Sequence, residues 1–278
     1  MNRIEKIYVV NLHDRTHRWD LFKEHVSHPG LTRFEAIDSR TNPHVYKNHG
    51  LVMNLNGLDS RLYFTQARGA IGVYCSFYSI WSEIVRKNIS NALILEDDAL
   101  VDDVVDYLDS NENLPEGDWN MIQLGKRCDE EWVTDTAMEW DGLEAYVLSN
   151  HGAKILTDST HDNNHFNNII HPVPPKGWKC KDVGGFKELS VFKNAPKPDW
   201  TVPNSITVAA DRFVGWNTHA KLPPDKRLNV LFQPCIGLYE QDVPSDIMQG
   251  DGDNAYWHMD ECQLLELICS DDFEYWNE

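Results

Sequence analysis

Basic residues are scarce in this chain of 278 residues. The 25 lysines and arginines stand against 44 aspartates and glutamates, which gives a formal net charge of −19. Such a balance repels a polyanion over most of the surface and argues against nucleic acid as a main partner. It does not exclude a single nucleotide diphosphate, because a few well-placed donors are enough to bind a small anion.

Close cysteine pairs and long apolar runs are also missing. The six cysteines stand singly, so neither a zinc site nor a disulfide scaffold is indicated, and we expect reduced thiols. No run approaches the roughly 20 apolar residues that span a bilayer. The first residues lead into a strand-like run with no secretory signal. These absences predict a cytoplasmic protein without a membrane span, in the host cytoplasm if the source is viral.

What the chain does contain, in its first half, is an alternation of strand-like and helix-like segments, typical of an α/β sheet whose parallel strands are joined by helices. The predicted strands cover 7–12, 34–37, 92–95, 119–124, 143–148 and 229–232, and the predicted helices cover 15–25, 72–87, 151–156 and 260–268. Residues 161–203 are rich in Asn, Pro, Gly and Lys, which predicts a long loop. The length suits one domain over residues 1–278.

Three acidic residues, Glu96, Asp97 and Asp98, directly follow the apolar segment 92–95 (ALIL). They stand at the carboxyl end of a buried strand, the edge where open α/β sheets bind ligands. Adjacent carboxylates repel one another, and a divalent cation allows them to remain ionised together. Hard oxygen ligands suit Mn²⁺ or Mg²⁺, which also binds the diphosphate of a nucleotide sugar. The alternative is a solvated acidic turn, which is common in so acidic a chain.

Five segments carry a family resemblance in one order along the chain. They are IYVVNLHDRTHRW (7–19), GAIGVYCSFYSIW (69–81), ALILEDDALV (92–101), AYVLSNHGAKIL (145–156) and LFQPCIGLYEQDVPSDI (231–247). Together they resemble glycosyltransferase family 25, which includes lipopolysaccharide-synthesis and procollagen galactosyltransferases. The resemblance implies a GT-A-type fold, with a Rossmann-like nucleotide-binding sheet and helices on both faces. It also implies inverting transfer of galactose or glucose from a UDP-sugar to a glycan or another glycoconjugate hydroxyl.

The same resemblance assigns roles to individual residues. Asp97 and Asp98 would take the metal, Mn²⁺ or Mg²⁺, with Glu96 supporting the donor diphosphate. The other donor-binding positions carried over from the motifs are Asn11, Arg15, Arg18 and Ser76. For the two arginines, a solvated helix face is an equal alternative. Residues 1–125 would form the nucleotide-sugar and metal half, and residues 126–278 the acceptor half with the loop 161–203.

The chain departs from the family pattern at two positions. His13 is inserted before Asp14 in the first motif, which affects how Arg15 would reach the donor. Phe77 follows Ser76 where the family usually has histidine. Any role of that histidine is unfilled in this chain.

An inverting transfer needs a base to take the proton from the acceptor hydroxyl, and an aspartate or glutamate opposite the metal is the usual choice. Asp211 is the candidate, because its segment stands where the family has an acidic residue. Asp182 and Asp199 compete for the role. A helix cap or an ion pair with Arg212 is the alternative for Asp211.

Two side-chain groups around the long loop suggest further sites less strongly. His161, His165 and His171 are near one another in sequence, but solvated histidines are the favoured interpretation because no second pair of metal ligands accompanies them. Trp178, Trp200 and Trp216 offer flat rings for an acceptor sugar, although packing of the loop is slightly favoured.

Two other functions compete with transfer. One is a catalytically inactive relative that binds sugars or nucleotides, against which the intact acids at residues 96–98 argue. The other is a metal-dependent nucleotidyltransferase or phosphatase, which usually draws its ligands from several strands. The sequence carries no indication of oligomeric state.

Overall fold

A six-stranded mixed sheet forms the centre of the protein. The structure is a computed structural model that describes residues 3–39, 45–53, 67–126, 142–161, 205–206, 210–218 and 222–238. The strands of the sheet, in spatial order, are β2 (Leu31–Glu35), β1 (Lys6–Asn11), β4 (Asn91–Glu96), β6 (Ala145–Ser149), β5 (Met121–Gly125) and β8 (Val230–Ile236). Two short strands, β3 (Val52–Met53) and β7 (Ser205–Ile206), form a separate parallel pair.

Five α-helices accompany these strands in the described residues. They are α1 (Thr16–His25), α2 (Ala67–Lys87), α3 (Val101–Ser110), α4 (Asn150–His161) and α5 (Ala210–Trp216), with short 3-10 segments at Val45–His49 and Pro224–Lys226. In the part of the chain that the structure describes, none of these helices has the length and apolar character to cross a bilayer.

The direction of the strands decides which residues meet. β1 pairs in parallel with β2 and β4, and β5 pairs in parallel with β8, whereas β6 runs antiparallel to both of its neighbours. The start of β6 therefore lies at the same edge of the sheet as the ends of the other five strands. We call this edge, which runs from Glu35 to Ile236, the carboxyl edge.

Two hydrophobic cores lie on opposite faces of the sheet because successive strand side chains point to opposite sides. Ile7 and Val9 of β1 join the core that includes Phe22 of α1 and Val104 of α3. Tyr8, between them, joins the core that contains the buried residues of α2, α4 and α5. The structure thus has helices on both faces of the sheet, as the sequence predicts.

The α2 helix supplies much of the larger core. Phe77 and Trp81, four residues apart on one helix face, stack with ring centroids 6.3 Å apart. The indole of Trp81 donates a 3.1 Å hydrogen bond to the buried hydroxyl of Tyr146 in β6. Phe77 is 1% exposed, so the position where family 25 usually has histidine serves in packing here.

Several predicted elements need correction. The second strand ends at Glu35 rather than 37 and begins at Leu31, and α2 begins at Ala67 rather than 72. The parallel strands expected in the first half are confirmed by the pairing of β1 with β2 and β4, whereas β6, in the second half, is antiparallel. The sequence analysis also missed α3, in which Val101 and Val104 are buried.

Other predictions are not tested. The helix 260–268 and nearly all of the loop 161–203 lie outside the described residues. The division into a donor half and an acceptor half remains a prediction.

Candidate active site

The side chain of Asp97 lies in a cluster of hydrogen-bond donors, just beyond the end of β4. Its Oδ1 accepts a 2.7 Å hydrogen bond from Nη1 of Arg18, and its Oδ2 accepts a 2.6 Å bond from Nδ2 of Asn11. The side chains of Arg18 and Asp97 are only 16% and 12% exposed. For Asp97, the alternative of a solvated acidic turn is therefore wrong. For Arg18, the solvated helix face is also wrong.

Asn11 and Arg33 extend this cluster across the first two strands. Nε of Arg33, in β2, donates a 2.7 Å hydrogen bond to Oδ1 of Asn11. Its Nη2 donates to the carbonyl oxygens of Leu12 and His13, at 2.9 and 3.1 Å. Arg33 is thus bonded both to the last residue of β1 and to the turn that leads into α1.

The turn that carries Glu96, Asp97 and Asp98, which we call the acidic turn, is held in place by bonds between the residues that follow it and the residues that follow β8. Ala99 forms an antiparallel bridge with Leu238, and the amide of Leu100 donates to the carbonyl of Gly237 at 2.8 Å. Asp103 of α3 accepts a 2.8 Å bond from the Gly237 amide. Although partial burial opposes it, this bond and the nearby charge of Lys126 lower the pKa of the Asp103 carboxyl.

Glu96 joins the acidic turn to the start of β6. Its amide donates a 2.8 Å hydrogen bond to the carbonyl of Glu144, the residue just before β6. Burial, together with the negative charge of Glu96, raises the pKa of the Tyr146 phenol, so Tyr146 stays a neutral hydrogen-bonding group. The Glu144 side chain is fully buried at the same edge.

Asp211 reaches the carboxyl edge from the face of the sheet on which α5 packs, opposite to the face covered by α1. It lies in the first turn of α5, and its Oδ2 accepts a hydrogen bond from the Gly142 amide at 3.4 Å. Gly142 is two residues before Glu144, whose carbonyl bonds Glu96. The structure therefore brings Asp211 and the acidic turn to one edge of the sheet, although its role as the base remains a prediction.

The other two residues predicted to bind the nucleotide-sugar donor, Arg15 and Ser76, have different surroundings. Arg15 precedes α1, and its carbonyl accepts a 3.0 Å bond from Nδ2 of Asn11. Ser76 is fully buried, where its hydroxyl donates to the Gly72 carbonyl and accepts from the Ile37 amide. These bonds tie α2 to the segment after β2, so the geometry favours a packing role for Ser76.

The weaker predicted sites receive little support. Trp216 is 2% exposed and belongs to the core, which supports the slightly favoured packing interpretation over a sugar platform. His161 ends α4 and bonds the hydroxyl of Tyr78 at 3.1 Å. The other candidates, Asp182, Asp199, His165, His171, Trp178 and Trp200, lie outside the described residues.

The acidic turn offers a metal few protein ligands. Among the described residues, no group of three or more His, Cys, Asp or Glu side chains is arranged to hold a metal ion. Mg²⁺ and Mn²⁺ in nucleotide sites, however, need only one or two carboxylates when phosphate oxygens complete the shell. A carboxylate oxygen can accept more than one contact, so the bonds from Asn11 and Arg18 do not by themselves exclude a cation at Asp97.

A comparison with known proteins matches a family over the part of the chain that contains most of the residues described at the carboxyl edge. Residues 4–141 match the profile of glycosyltransferase family 25, described as a lipopolysaccharide biosynthesis protein. This part of the chain belongs to glycosyltransferase family 25. The resemblance predicted from the motifs is confirmed there. Asn11, Arg18, Arg33 and the acidic turn all lie within the family 25 region, whereas Asp211 lies outside it.

Individual relatives in the family are distant. A probable inactive glycosyltransferase 25 family member 3 of Rattus norvegicus is 30% identical over 100 residues, which is 34% of this chain and 17% of the relative. A glycosyltransferase 25 family member of Anopheles gambiae is 28% identical over 178 residues, 55% of this chain and 28% of the relative. One from Aedes aegypti is 27% identical over 172 residues, 56% of this chain and 28% of the relative. The matched parts thus span between a sixth and just over a quarter of these relatives.

Three residues of the site were missed by the sequence analysis. Arg33 stands before the predicted second strand, which was placed too late along the chain. Glu144 is fully buried just before β6, and Gln123, fully buried near the end of β5, donates from Nε2 to the Gly142 carbonyl at 3.5 Å. The available signal was a charged or amide residue inside or beside an apolar strand, where burial requires a hydrogen-bonded partner.

Proposed function

We propose that this protein is a metal-dependent, inverting glycosyltransferase of the GT-A type that transfers a hexose, galactose or glucose, from a UDP-sugar. The observation that carries the proposal is the Asp97 cluster. It joins the end of β1, the first turn of α1 and the acidic turn after β4 at one edge of the sheet. Open α/β sheets bind nucleotides at this edge.

The cluster has the charge pattern that a nucleotide diphosphate needs. The chain is strongly acidic overall, yet Arg18 and Arg33 approach one aspartate and one asparagine here. Arginine presents several donors in a planar fork that matches phosphate oxygens. We expect Arg18 to bind the donor diphosphate and the Asn11 amide to hold Asp97 in place.

Asp97 and Asp98 would hold Mn²⁺ or Mg²⁺, the only cofactor proposed. When bound, such an ion neutralises the charge that develops on the departing diphosphate. The chain's own part is to supply one or two carboxylates in a fixed position, with Glu96 keeping the turn joined to β6 through its backbone.

Asp211 is the proposed base. In an inverting reaction the acceptor oxygen attacks the sugar carbon from the face opposite the leaving diphosphate, and its proton passes to a carboxylate. Asp211 reaches the carboxyl edge from the α5 side, whereas Arg18 reaches it from the α1 side. This arrangement supports an acceptor site beside Asp211, for a glycan or another glycoconjugate hydroxyl.

Release of UDP from a panel of UDP-sugars tests this proposal. We expect Mn²⁺-stimulated release with UDP-galactose or UDP-glucose in the presence of saccharide acceptors. Substitution Asp211→Asn should lower turnover about 100-fold or more while UDP affinity stays within about twofold, because a base acts on the acceptor proton. Turnover of D211N close to that of the wild type would remove Asp211 from the role.

A second candidate is an inactive, nucleotide-binding relative. It is favoured by the contacts on both oxygens of Asp97 and by the name of the rat relative, which calls that protein probably inactive. Mn²⁺-dependent UDP binding without release from any nucleotide sugar would support this candidate. Binding of neither UDP nor a nucleotide sugar would count against both candidates.

A further inference from the structure

Asn11 has a side-chain orientation that three neighbours determine together. Its Nδ2 faces two groups that only accept, the Arg15 carbonyl at 3.0 Å and the Asp97 carboxylate at 2.6 Å. Its Oδ1 faces Nε of Arg33, which only donates, at 2.7 Å. A reversed amide would oppose donor to donor and acceptor to acceptor, so only one orientation satisfies all three contacts.

Burial makes this arrangement costly to disturb. Asn11 is 1% exposed, so no bulk water can replace a lost partner. An amide oxygen left without a donor there loses its full solvation. Without Arg33, Nδ2 would keep its two acceptors but Oδ1 would lose its donor, so the amide would be held less firmly and its bond to Asp97 would loosen.

The backbone explains why Arg33 is the residue that reaches Asn11. In the parallel pair of β1 and β2, Arg33 lies opposite Val9. Asn11 is two residues further along β1 and so shares a sheet face with Val9. Only a long, forked side chain spans this diagonal and also reaches the carbonyls of Leu12 and His13 beyond the strand.

We infer that Arg33 is a positioning residue that acts on Asp97 through Asn11. It holds Oδ1 of the Asn11 amide, and the nitrogen of that amide in turn holds Oδ2 of Asp97 in the place required for a metal and a diphosphate. The inference about metal and diphosphate rests on the proposed function. The restraint of the Asn11 amide by Arg33 does not, so it can be tested in the protein without ligands.

The first measurement is hydrogen exchange of the Asn11 side-chain amide, followed by NMR and assigned from the signal that disappears in Asn11→Ala. We expect slow exchange in the wild type, because both amide hydrogens are bonded, and exchange at least tenfold faster in Arg33→Met. Arg3→Met is the matched control, since Arg3 forms an exposed pair with Glu112 before β1. Unchanged exchange in R33M would overturn the inference.

The second measurement is the affinity for UDP in the presence of Mn²⁺, by calorimetry. We expect about a tenfold loss in R33M, in the range found when supporting partners of metal ligands are removed. The double variant R33M/N11A should be no weaker than N11A alone, because Arg33 acts through Asn11. Additive losses would mean that Arg33 contacts the ligand directly, and would overturn the inference.

The substitution Arg33→Lys tests whether the forked shape of the guanidinium is required or only its positive charge. Lysine keeps the positive charge but lacks the fork that bonds Asn11 and the turn together. We expect R33K to remain about as weak as R33M in UDP affinity, and full recovery would overturn the inference. If the wild type binds no UDP with Mn²⁺, the proposed function fails, while the exchange measurement still decides whether Arg33 restrains the Asn11 amide.

Discussion

Replacing Asp97 by asparagine should destabilise the fold even without any ligand. Removing one partner of a buried ion pair costs about 3 to 5 kcal/mol. Here the pair with Arg18 is slightly exposed, at 16% and 12%, and asparagine still offers one acceptor, so about 3 kcal/mol is the appropriate loss. Relief of repulsion from the neighbouring Glu96 and Asp98 returns about 1 kcal/mol if those charges interact through water. The expected net loss is about 2 kcal/mol.

Urea unfolding at pH 7 measures this loss against a control pair with the same N···O distance. Lys154 and Asp158 of α4 also form an ion pair at 2.7 Å, but their side chains are 58% and 62% exposed. Asp158→Asn should cost less than about 0.5 kcal/mol, as surface pairs do. If D97N proved no more destabilising than D158N, Asp97 would not be held as the structure shows, and the reasoning would be refuted.

Three further substitutions test the structure around the site. Phe77→His should lower the free energy of unfolding in urea by about 2 to 4 kcal/mol, because it buries a polar ring in place of an apolar one stacked on Trp81. A loss below about 1 kcal/mol would show that the core accepts the family's usual histidine. Gly152→Ala should lower the thermal midpoint despite alanine's better helix propensity, since the new Cβ would lie 2.6 Å from the carbonyl oxygen of Asn120, and a raised midpoint would contradict this close approach. Asp103 has a lowered pKa in the folded state, so its contribution to the free energy of unfolding is complete above the unfolded pKa of about 3.9 and is lost as the pH falls further. The difference in stability between the wild type and Asp103→Asn should therefore shrink between about pH 5 and pH 2. A constant difference would contradict the bonds to the Asp103 carboxylate.

The sequence predicted the sheet well where its strands are mostly apolar and buried. The segments that became β1, β4 and β6 have four or five buried residues each, and their predicted bounds differ from the observed ones by one or two residues. β2 was displaced because its residues, LTRFE, are only partly buried and carry little apolar contrast. Helix α3, as long as α1, was overlooked because it begins soon after the acidic turn and carries four aspartates, which are poor helix formers.

The direction of β6 was the structural fact that the sequence could not supply. An apolar strand of five residues has the same pattern in either direction. In a parallel β6, Glu144 would lie at the far edge of the sheet, away from Glu96. The antiparallel pairing of Leu95 with Ala145 brings the two acidic residues side by side.

The site residues that lie within the family motifs could be predicted from the sequence. Asn11, Arg18 and Asp97 were named from their motifs, and the structure joins them by direct hydrogen bonds. Arg33 could not be named, because its contact depends on the register of β2 against β1. Ser76 shows the opposite case, since its place in a motif did not reveal that its hydroxyl is used for packing.

The affinity for UDP, measured by calorimetry with and without Mn²⁺, tests most directly whether the acidic turn is a metal and diphosphate site. The wild type should bind UDP at least tenfold more tightly with Mn²⁺, and UDP should tighten Mn²⁺ binding by the same factor, since the coupling is reciprocal. Asp98→Asn should remove this coupling, whereas D158N should keep it. Equal UDP affinity with and without Mn²⁺ in the wild type would contradict the account.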